Sequence, residues 1–293
     1  MNRSADLIGV DWGTSNLRVM RIAAGGGLLE ERSDGRGAGG LGPGDFAGVL
    51  EAVAGEWLAE APVLICGMAG ARGRWRETAY QPCPADAAAL GRAVVRPDAA
   101  GEAFIVPGVA VMADDGPTDV MRGEETQVTG LFAAGESGTV VAPGTHSKWI
   151  RVEDGRIEDF RTFMTGELFA AIRRGTILVP DGQEPGGDEA AFRRGVERGL
   201  ADPAVTAALF SARVEVLAGR LAAEGAADYL SGLLIGAEIG AQPGPAPVTI
   251  VGADGLAARY RTALAVAGYG DVRSPDGETI TARGLWRIWE ART

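Results

Sequence analysis

Histidine and lysine are all but missing from this chain. Each occurs once, as His146 and Lys148, so every other cation among the 28 Lys+Arg is arginine. One histidine is too few for the usual zinc sites and for histidine-based nucleophile triads. Cysteine is nearly as scarce: Cys66 and Cys83 make no C-x-x-C pair and no disulfide framework. Both thiols therefore read as reduced and structural, in a cytoplasmic protein. No stretch reaches the roughly 18 apolar residues of a membrane helix, so no membrane partner is expected. The opening MNRSADLIGVDWG sets Arg3, Asp6 and Asp11 around a very short apolar run and reads as neither a signal nor a transit peptide. Positive charge is in deficit too. With 39 Asp+Glu the net charge is −11, which leaves no basic footprint for nucleic acid. That deficit does not exclude phosphate, because backbone N–H groups of a tight loop can hold it.

What is present is a large globular chain of 293 residues, 46% of them apolar. That length suits two domains. Residues 7–32 read as three short strands joined by glycine turns: LIGVD, then LRVMRIA after WGTSN, then LLEERS after AGGG. Residues 139–163 repeat the plan with TVVAP, SKWIRVED and RIEDFRTF. A helical stretch follows each meander, DFAGVLEAVAGEWLAE and TGELFAAIRRGTIL. One unit seen twice predicts an internal duplication. Between the meanders lie a buried strand, VLICGMAG, a helix, ADAAALGRAVV, a strand, AFIVPGVAV, and a helix from about Gly123. The second half adds Ala/Leu-rich helices across 203–241, the strand PVTIVG, the helix LAARYRTALAVAG and a last helix, TARGLWRIWEA. GESG at 135–138 is the expected hinge, dividing the chain into domains 1–136 and 137–293, with the last helix free to pack back on the first.

Four stretches carry candidate chemistry, and each has a plainer reading. In IGVDWGTSNLRV, Asp11 ends an apolar strand and a Gly-Thr-Ser-Asn turn follows. Such a turn can cradle phosphate while Asp11 holds Mg²⁺ through water; the plain reading is an ordinary hairpin with a capping aspartate. In VVAPGTHSKWI, a period-two strand would put His146 and Lys148 on one face, against the plain reading of a hydrogen-bonded core histidine. VTIVGADGLAARY at 248–260 is a strand, a Gly turn and a helix, read either as a nucleotide turn or as a plain βα connection. In DVMRGEETQVTG, paired glutamates open a helix just after Arg122. They either complement the helix dipole or supply a base beside an anion-binding arginine. No G-x-x-x-x-G-K-[ST] or G-x-S-x-G motif occurs. GRGAGG at 35–40 spells G-x-G-x-x-G, but it reads as a floppy segment without the strand-to-helix setting of a dinucleotide fingerprint.

The two phosphate-type loops, the strand–Gly–helix turn and the duplication together resemble the actin-like ATPase and sugar-kinase superfamily. DWGTSNLR, GMAG with a following Trp and Tyr-x-x-CP, DVMRGEETQ, PGTHSKWI and FMTGEL, in that order, resemble the 2-dehydro-3-deoxygalactonokinase family over residues 8 to about 289. The resemblance implies an α/β fold of two ribonuclease-H-like domains with a nucleotide cleft between them, the first for the sugar acid and the second for the nucleotide. It implies phosphorylation of 2-dehydro-3-deoxy-D-galactonate at O6 by ATP with Mg²⁺, in galactonate catabolism.

Carried over by position, Asp11 (also the metal ligand), Gly13, Thr14, Ser15 and Asn16 form the first phosphate loop. Gly144, Thr145, His146 and Lys148 form the second. Gly252, Ala253 and Asp254 form the adenosine turn, where Ala253 departs from the common second glycine. Glu124 and Glu125 are the base candidates, with Asp119 as fallback. Lys148 and His146 would neutralise charge on the transferring phosphoryl group or hold the product phosphate. Arg18, Arg72 and Arg122 are candidates for the sugar-acid carboxylate. Small-molecule sugar acid and ATP are the expected partners, with a homodimer left open. Three alternatives stay open: a kinase of the gluconate epimer, an exopolyphosphatase-like hydrolase whose Gly-Glu-Glu helix opening is similar, and a non-catalytic nucleotide-binding scaffold.

Overall fold

A computed structural model describes residues 4–98, 102–180, 183–202 and 204–292. The elements run β1 (Leu7–Trp12), β2 (Leu17–Ala23), β3 (Gly27–Asp34), α1 (Phe46–Ala54), β4 (Val63–Gly67), β5 (Gln81–Pro82), α2 (Ala87–Arg92), β6 (Ala103–Ile105), β7 (Val109–Ala113), β8 (Gly116–Met121) and α3 (Glu124–Leu131). They continue β9 (Gly138–Ala142), β10 (Ser147–Glu153), β11 (Arg156–Phe163), α4 (Thr165–Gly175), α5 (Glu189–Ala201), α6 (Val205–Leu209), α7 (Ser211–Leu217), α8 (Ala226–Gly240), β12 (Val248–Ile250), α9 (Asp254–Val266), β13 (Val272–Arg273) and α10 (Gly277–Glu290).

Two compact units result. The first comprises Met1–Gly138, Ile150–Phe160 and Asp276–Thr293; the second comprises Thr139–Trp149 and Arg161–Pro275. One five-stranded sheet has the order β3-β2-β1-β4-β6 and the other β11-β10-β9-β12-β13, so the expected ribonuclease-H-like plan occurs twice. In the first sheet β1 is antiparallel to β2 and parallel to β4, and β4 is parallel to β6. A parallel central strand is covered on both faces and reads as continuous apolar sequence. VLICG does so, with every residue buried.

AFIVPGVAV departs from expectation. It forms two strands in different sheets, β6 beside β4 and β7 between β5 and β8. Pro107 has no N–H for a ladder. Gly108 then passes so close to Met121 that a Cβ would lie 2.5 Å from that carbonyl oxygen. The helical stretch expected across 203–241 resolves into α6, α7 and α8; Pro203 itself lies outside the described residues.

In the first unit Trp12, Phe46 and Trp75 pack as an aromatic cluster with centroids 4.8–5.9 Å apart, directly under the end of β1. Helix α10 packs on α3 with almost no side chain between them: a Cβ on Gly284 would lie 1.9 Å from Thr126 O, and one on Gly130 2.0 Å from Ile280 O. In the second unit α5 and α8 meet the same way. Cβ atoms on Gly195, Gly199, Gly232 and Gly236 would fall 2.0–2.3 Å from carbonyl oxygens of the facing helix. No helix among the described residues is long and apolar enough to cross a membrane.

Candidate functional site

In the first unit the site starts at the end of β1. Asp11 stands opposite Arg18 on β2 and opposite Cys66 on β4. Arg18 Nη2 donates to Asp11 Oδ2 at 2.7 Å and lies 3.5 Å from Thr281 Oγ1 on α10. Burial pulls the Arg18 guanidinium down, but the charge and hydrogen bond of Asp11 outweigh it and hold it above its ordinary value. Arg18, expected to meet a sugar-acid carboxylate, thus holds Asp11. Asp11 keeps 22% of its side chain exposed. Beyond it the turn closes with Gly13 N–H donating to Asn16 O at 2.9 Å, and Thr14, Ser15 and Asn16 are exposed.

Helix α3 opens beside this strand end. Gly123 carries φ 107°, the left-handed region that favours glycine, and a Cβ there would sit 3.6 Å from Gly67 Cα. The two glutamates that follow differ sharply. Glu125 is fully buried, accepting from Gly123 N–H at 2.6 Å and from Thr126 Oγ1 at 3.0 Å. Burial first, then the charge of Glu124, push its carboxyl up to about 7. Glu124 is half-buried and accepts from Arg122 N–H at 3.2 Å. Burial, then Asp11 and Glu125, push the Cys66 thiol well up, in keeping with a structural cysteine. Asp119 lies on β8, paired with β7 in the three-stranded sheet.

Arg122 is built in. Its Nη1 donates to Thr78 Oγ1 at 2.6 Å and its Nη2 to Thr78 O at 3.1 Å, with the guanidinium 4.7 Å from the Tyr80 ring centroid. Its Nε is buried without a hydrogen-bond partner among the described residues. Arg72, by contrast, is 92% exposed, with Glu77 at 3.9 Å.

In the second unit the loop after β9 carries Gly144, Thr145 and His146, and β10 begins only at Ser147. The expected shared face of His146 and Lys148 therefore does not form, because period-two alternation holds along a strand and His146 is still in the turn. His146 is exposed, its Nε2 2.5 Å from Glu167 Oε2. Lys148 is buried, its Nζ donating to His146 O at 3.0 Å. The turn at 252–254 lies against this loop: Val251 N–H donates to Val141 O at 2.9 Å, and Gly252 faces Pro143. Ala253 precedes α9 with extended backbone and no side-chain cap, leaving the first-turn amides of Asp254 and its neighbours uncapped by a side chain.

Glu238 escaped sequence reasoning. It is 2% exposed on α8 and collects four donors: Ser147 Oγ at 2.7 Å, Trp149 Nε1 at 2.8 Å, Tyr260 Oη at 2.7 Å and Thr165 Oγ1. Burial raises its carboxyl above the ordinary value against the pull of those donors. It ties the strand carrying Lys148 to the start of α4 and to α9. A lone carboxylate inside SGLLIGAEIG was the available signal. Glu167 and Thr165 sit in the TGE of FMTGEL, quoted above as a string without roles. Among the described residues no three His, Cys, Asp or Glu side chains gather as a metal cluster. The acidic donor at the first loop is Asp11, and one or two carboxylates suffice for a Mg²⁺ that brings phosphate and water ligands with it.

A structure of the activator of 2-hydroxyisocaproyl-CoA dehydratase from Clostridium difficile, with bound ADPNP, matches with a TM-score of 0.50 at 15% identity, covering 98% of this chain and 95% of that one. At that identity it speaks for the fold alone. The fold is thus an α/β fold of the actin-like ATPase kind. The sequence model of the family described as 2-keto-3-deoxy-galactonokinase matches residues 11–288. A protein of Rhizobium meliloti (strain 1021), described as a probable 2-dehydro-3-deoxygalactonokinase, is 43% identical over 289 residues and 94% of each chain. A 2-dehydro-3-deoxygalactonokinase of Escherichia coli (strain K12) is 36% identical over 294 residues, 98% of this chain and 99% of its own. A crystal structure from Sinorhizobium meliloti, described by the same kinase name, superposes with a TM-score of 0.85 at 41% identity, covering 97% and 98%. The chain belongs to the 2-keto-3-deoxy-galactonokinase family.

Proposed function

We propose that this protein transfers the γ-phosphoryl group of ATP to O6 of 2-dehydro-3-deoxy-D-galactonate, in the cytoplasm, as a step of galactonate catabolism. Family membership supports the reaction. The observation that carries the chemistry is Asp11, held at 2.7 Å by Arg18 beside the 13–16 turn with its exposed Thr14, Ser15 and Asn16. The turn and the 144–148 loop take the phosphates, and Gly252, Ala253 and Asp254 take the adenosine end. The first unit takes the sugar acid. Mg²⁺, held by Asp11 through water, would neutralise charge on the phosphate oxygens.

Glu125 is closed off, both oxygens engaged inside the protein. Glu124, half-buried at the same helix start, is the base. Its carboxylate accepts the O6 proton as O6 bonds to the γ-phosphorus and the bond to the ADP oxygen breaks. Phosphoryl transfer depends on positioning and charge as well as on the base, and the loops supply both. Arg122, anchored by Thr78 and Tyr80, is the better-built partner for the sugar-acid carboxylate than the exposed Arg72. The test is ADP release from MgATP with the galactonate substrate, its gluconate epimer, or neither. Release that depends on the galactonate compound is expected. Release indifferent to both sugar acids would overturn the reading in favour of a phosphohydrolase.

A further inference from the structure

The turn between β1 and β2 is gripped by the glycine-rich segment that follows β3. Ala38 N–H donates to Gly13 O at 2.9 Å, and Gly39 N–H donates to Thr14 O at 2.8 Å. Trp12 Nε1 donates to Arg36 O at 3.1 Å. A peptide unit is planar and trans, so its C=O and its N–H point in opposite directions. With the carbonyls of Gly13 and Thr14 turned into the 38–39 segment, the N–H groups of Thr14 and Ser15 are turned away from it. Two successive amides aimed to one side form a nest for an anion, and the repelling carbonyl ends are withdrawn from it.

Only glycine permits this approach. A Cβ on Gly37 would lie 2.3 Å from both Ser15 C and Thr14 O, and one on Gly39 2.9 Å from Thr14 O. The segment is itself tethered. Arg36 donates from its backbone N–H, Nε and Nη2 to Asp34, each at 2.8 Å, and these bonds hold the Asp34 carboxyl down at about 2.

The second unit repeats the device. Glu167 N–H donates to Thr145 O at 3.0 Å, which turns the His146 N–H the other way. A Cβ on Gly166 would lie 2.4 Å from Gly144 O. Gly13-Thr14 and Gly144-Thr145 occupy the same place in the duplicated plan, and each is gripped by the segment after its third strand.

We propose that residues 36–39 are the positioning element of the first phosphate loop, with Gly37 setting its shape for the polyphosphate end of a nucleotide. The proposal rests on the phosphate-binding role given above to residues 13–16. Calorimetric titration with MgATP, alongside steady-state kinetics, tests it. Gly37→Ala is expected to weaken ATP binding and raise KM for ATP by about tenfold or more, with the sugar-acid KM within about twofold. Gly35→Ala, whose Cβ meets open space, is expected to match the parent protein. Should Gly37→Ala fail to fold, the milder change Asp34→Asn, at a half-buried side chain, loosens Arg36 and is expected to weaken ATP binding by about two- to fivefold. ATP affinity unaltered in the folded Gly37→Ala protein, or in Asp34→Asn where that one is decisive, overturns the proposal, as do equal losses for both substrates. The two readings fail separately. Lost ATP binding in a protein inert toward sugar acids upholds the positioning element and removes the kinase; sugar-acid-dependent ADP release with unaltered ATP affinity does the reverse.

Discussion

Replacing Glu125 by glutamine tests burial and mechanism together. The carboxyl is fully buried and titrates near 7 in the folded protein against an ordinary value of 4.5, mainly because burial disfavours its charged form. A raised acid pKa means that the folded state holds the proton more tightly than the unfolded chain. Stability from this group is therefore complete below pH 4.5 and is lost as the pH rises through about 7. Over that window the loss amounts to about 3 kcal/mol, at about 1.4 kcal/mol per unit. A glutamine amide carries no titrating proton, keeps an acceptor for the Gly123 N–H and has nearly the same volume. The variant should match the parent at pH 4.5 and exceed it at pH 8, with a difference in melting temperature of roughly 6 °C or more. Thermal melts of both proteins from pH 4.5 to 8.5 measure this directly. Parallel curves would refute the reasoning, since they would mean that the buried carboxyl ionises at no cost. Turnover in the same protein separates the glutamates. With Glu124 as base, Glu125→Gln keeps kcat within about tenfold, whereas Glu124→Gln loses about 10²–10⁴.

Three further outcomes follow from the second unit. Lys148→Arg should cut kcat by about tenfold or more, because a planar guanidinium cannot take the place of a buried ammonium set on the His146 carbonyl; full activity there would mean that any cation serves. Tyr260→Phe removes one of the four donors on buried Glu238 and should cost about 1–3 kcal/mol, read as a lowered melting temperature at pH 8. Gly232→Ala puts a Cβ 2.0 Å from Phe192 O at the α5–α8 crossing, and should destabilise by about 1–3 kcal/mol or more in the same assay.

Much of the fold is legible from residue patterning. The meanders at 7–32 and 139–163 stand out because short strands alternate with glycine turns, and both form almost where the pattern puts them. The limits of patterning show at AFIVPGVAV. Its apolar letters are continuous, yet Pro107 and Gly108 divide it between two sheets, and no hydrophobic periodicity marks that division. The site is legible in its loops, whose residues are local in sequence, and illegible in its supports, which are not. Arg18 reads as a free cation until the β1–β2 register sets it against Asp11. Glu124 and Glu125 are adjacent letters of one string, and only the packing of α3 buries one and leaves the other half-exposed.

GRGAGG shows most plainly why the supports stay hidden. By its letters it is a failed dinucleotide fingerprint, and its setting predicts a floppy segment. Its glycines serve a contact with residues more than twenty positions earlier. A missing side chain has no periodicity, charge or polarity to betray its partner. What gives such a residue meaning is the space another segment needs, here the 2.3 Å between an added Cβ on Gly37 and the Thr14–Ser15 backbone. Gly166 has the same relation to Gly144 in the second unit. Each loop's carbonyls are thus drawn inward by a neighbour that could approach only because it lacks a side chain. The amide direction an anion would feel is set by residues that need never touch it.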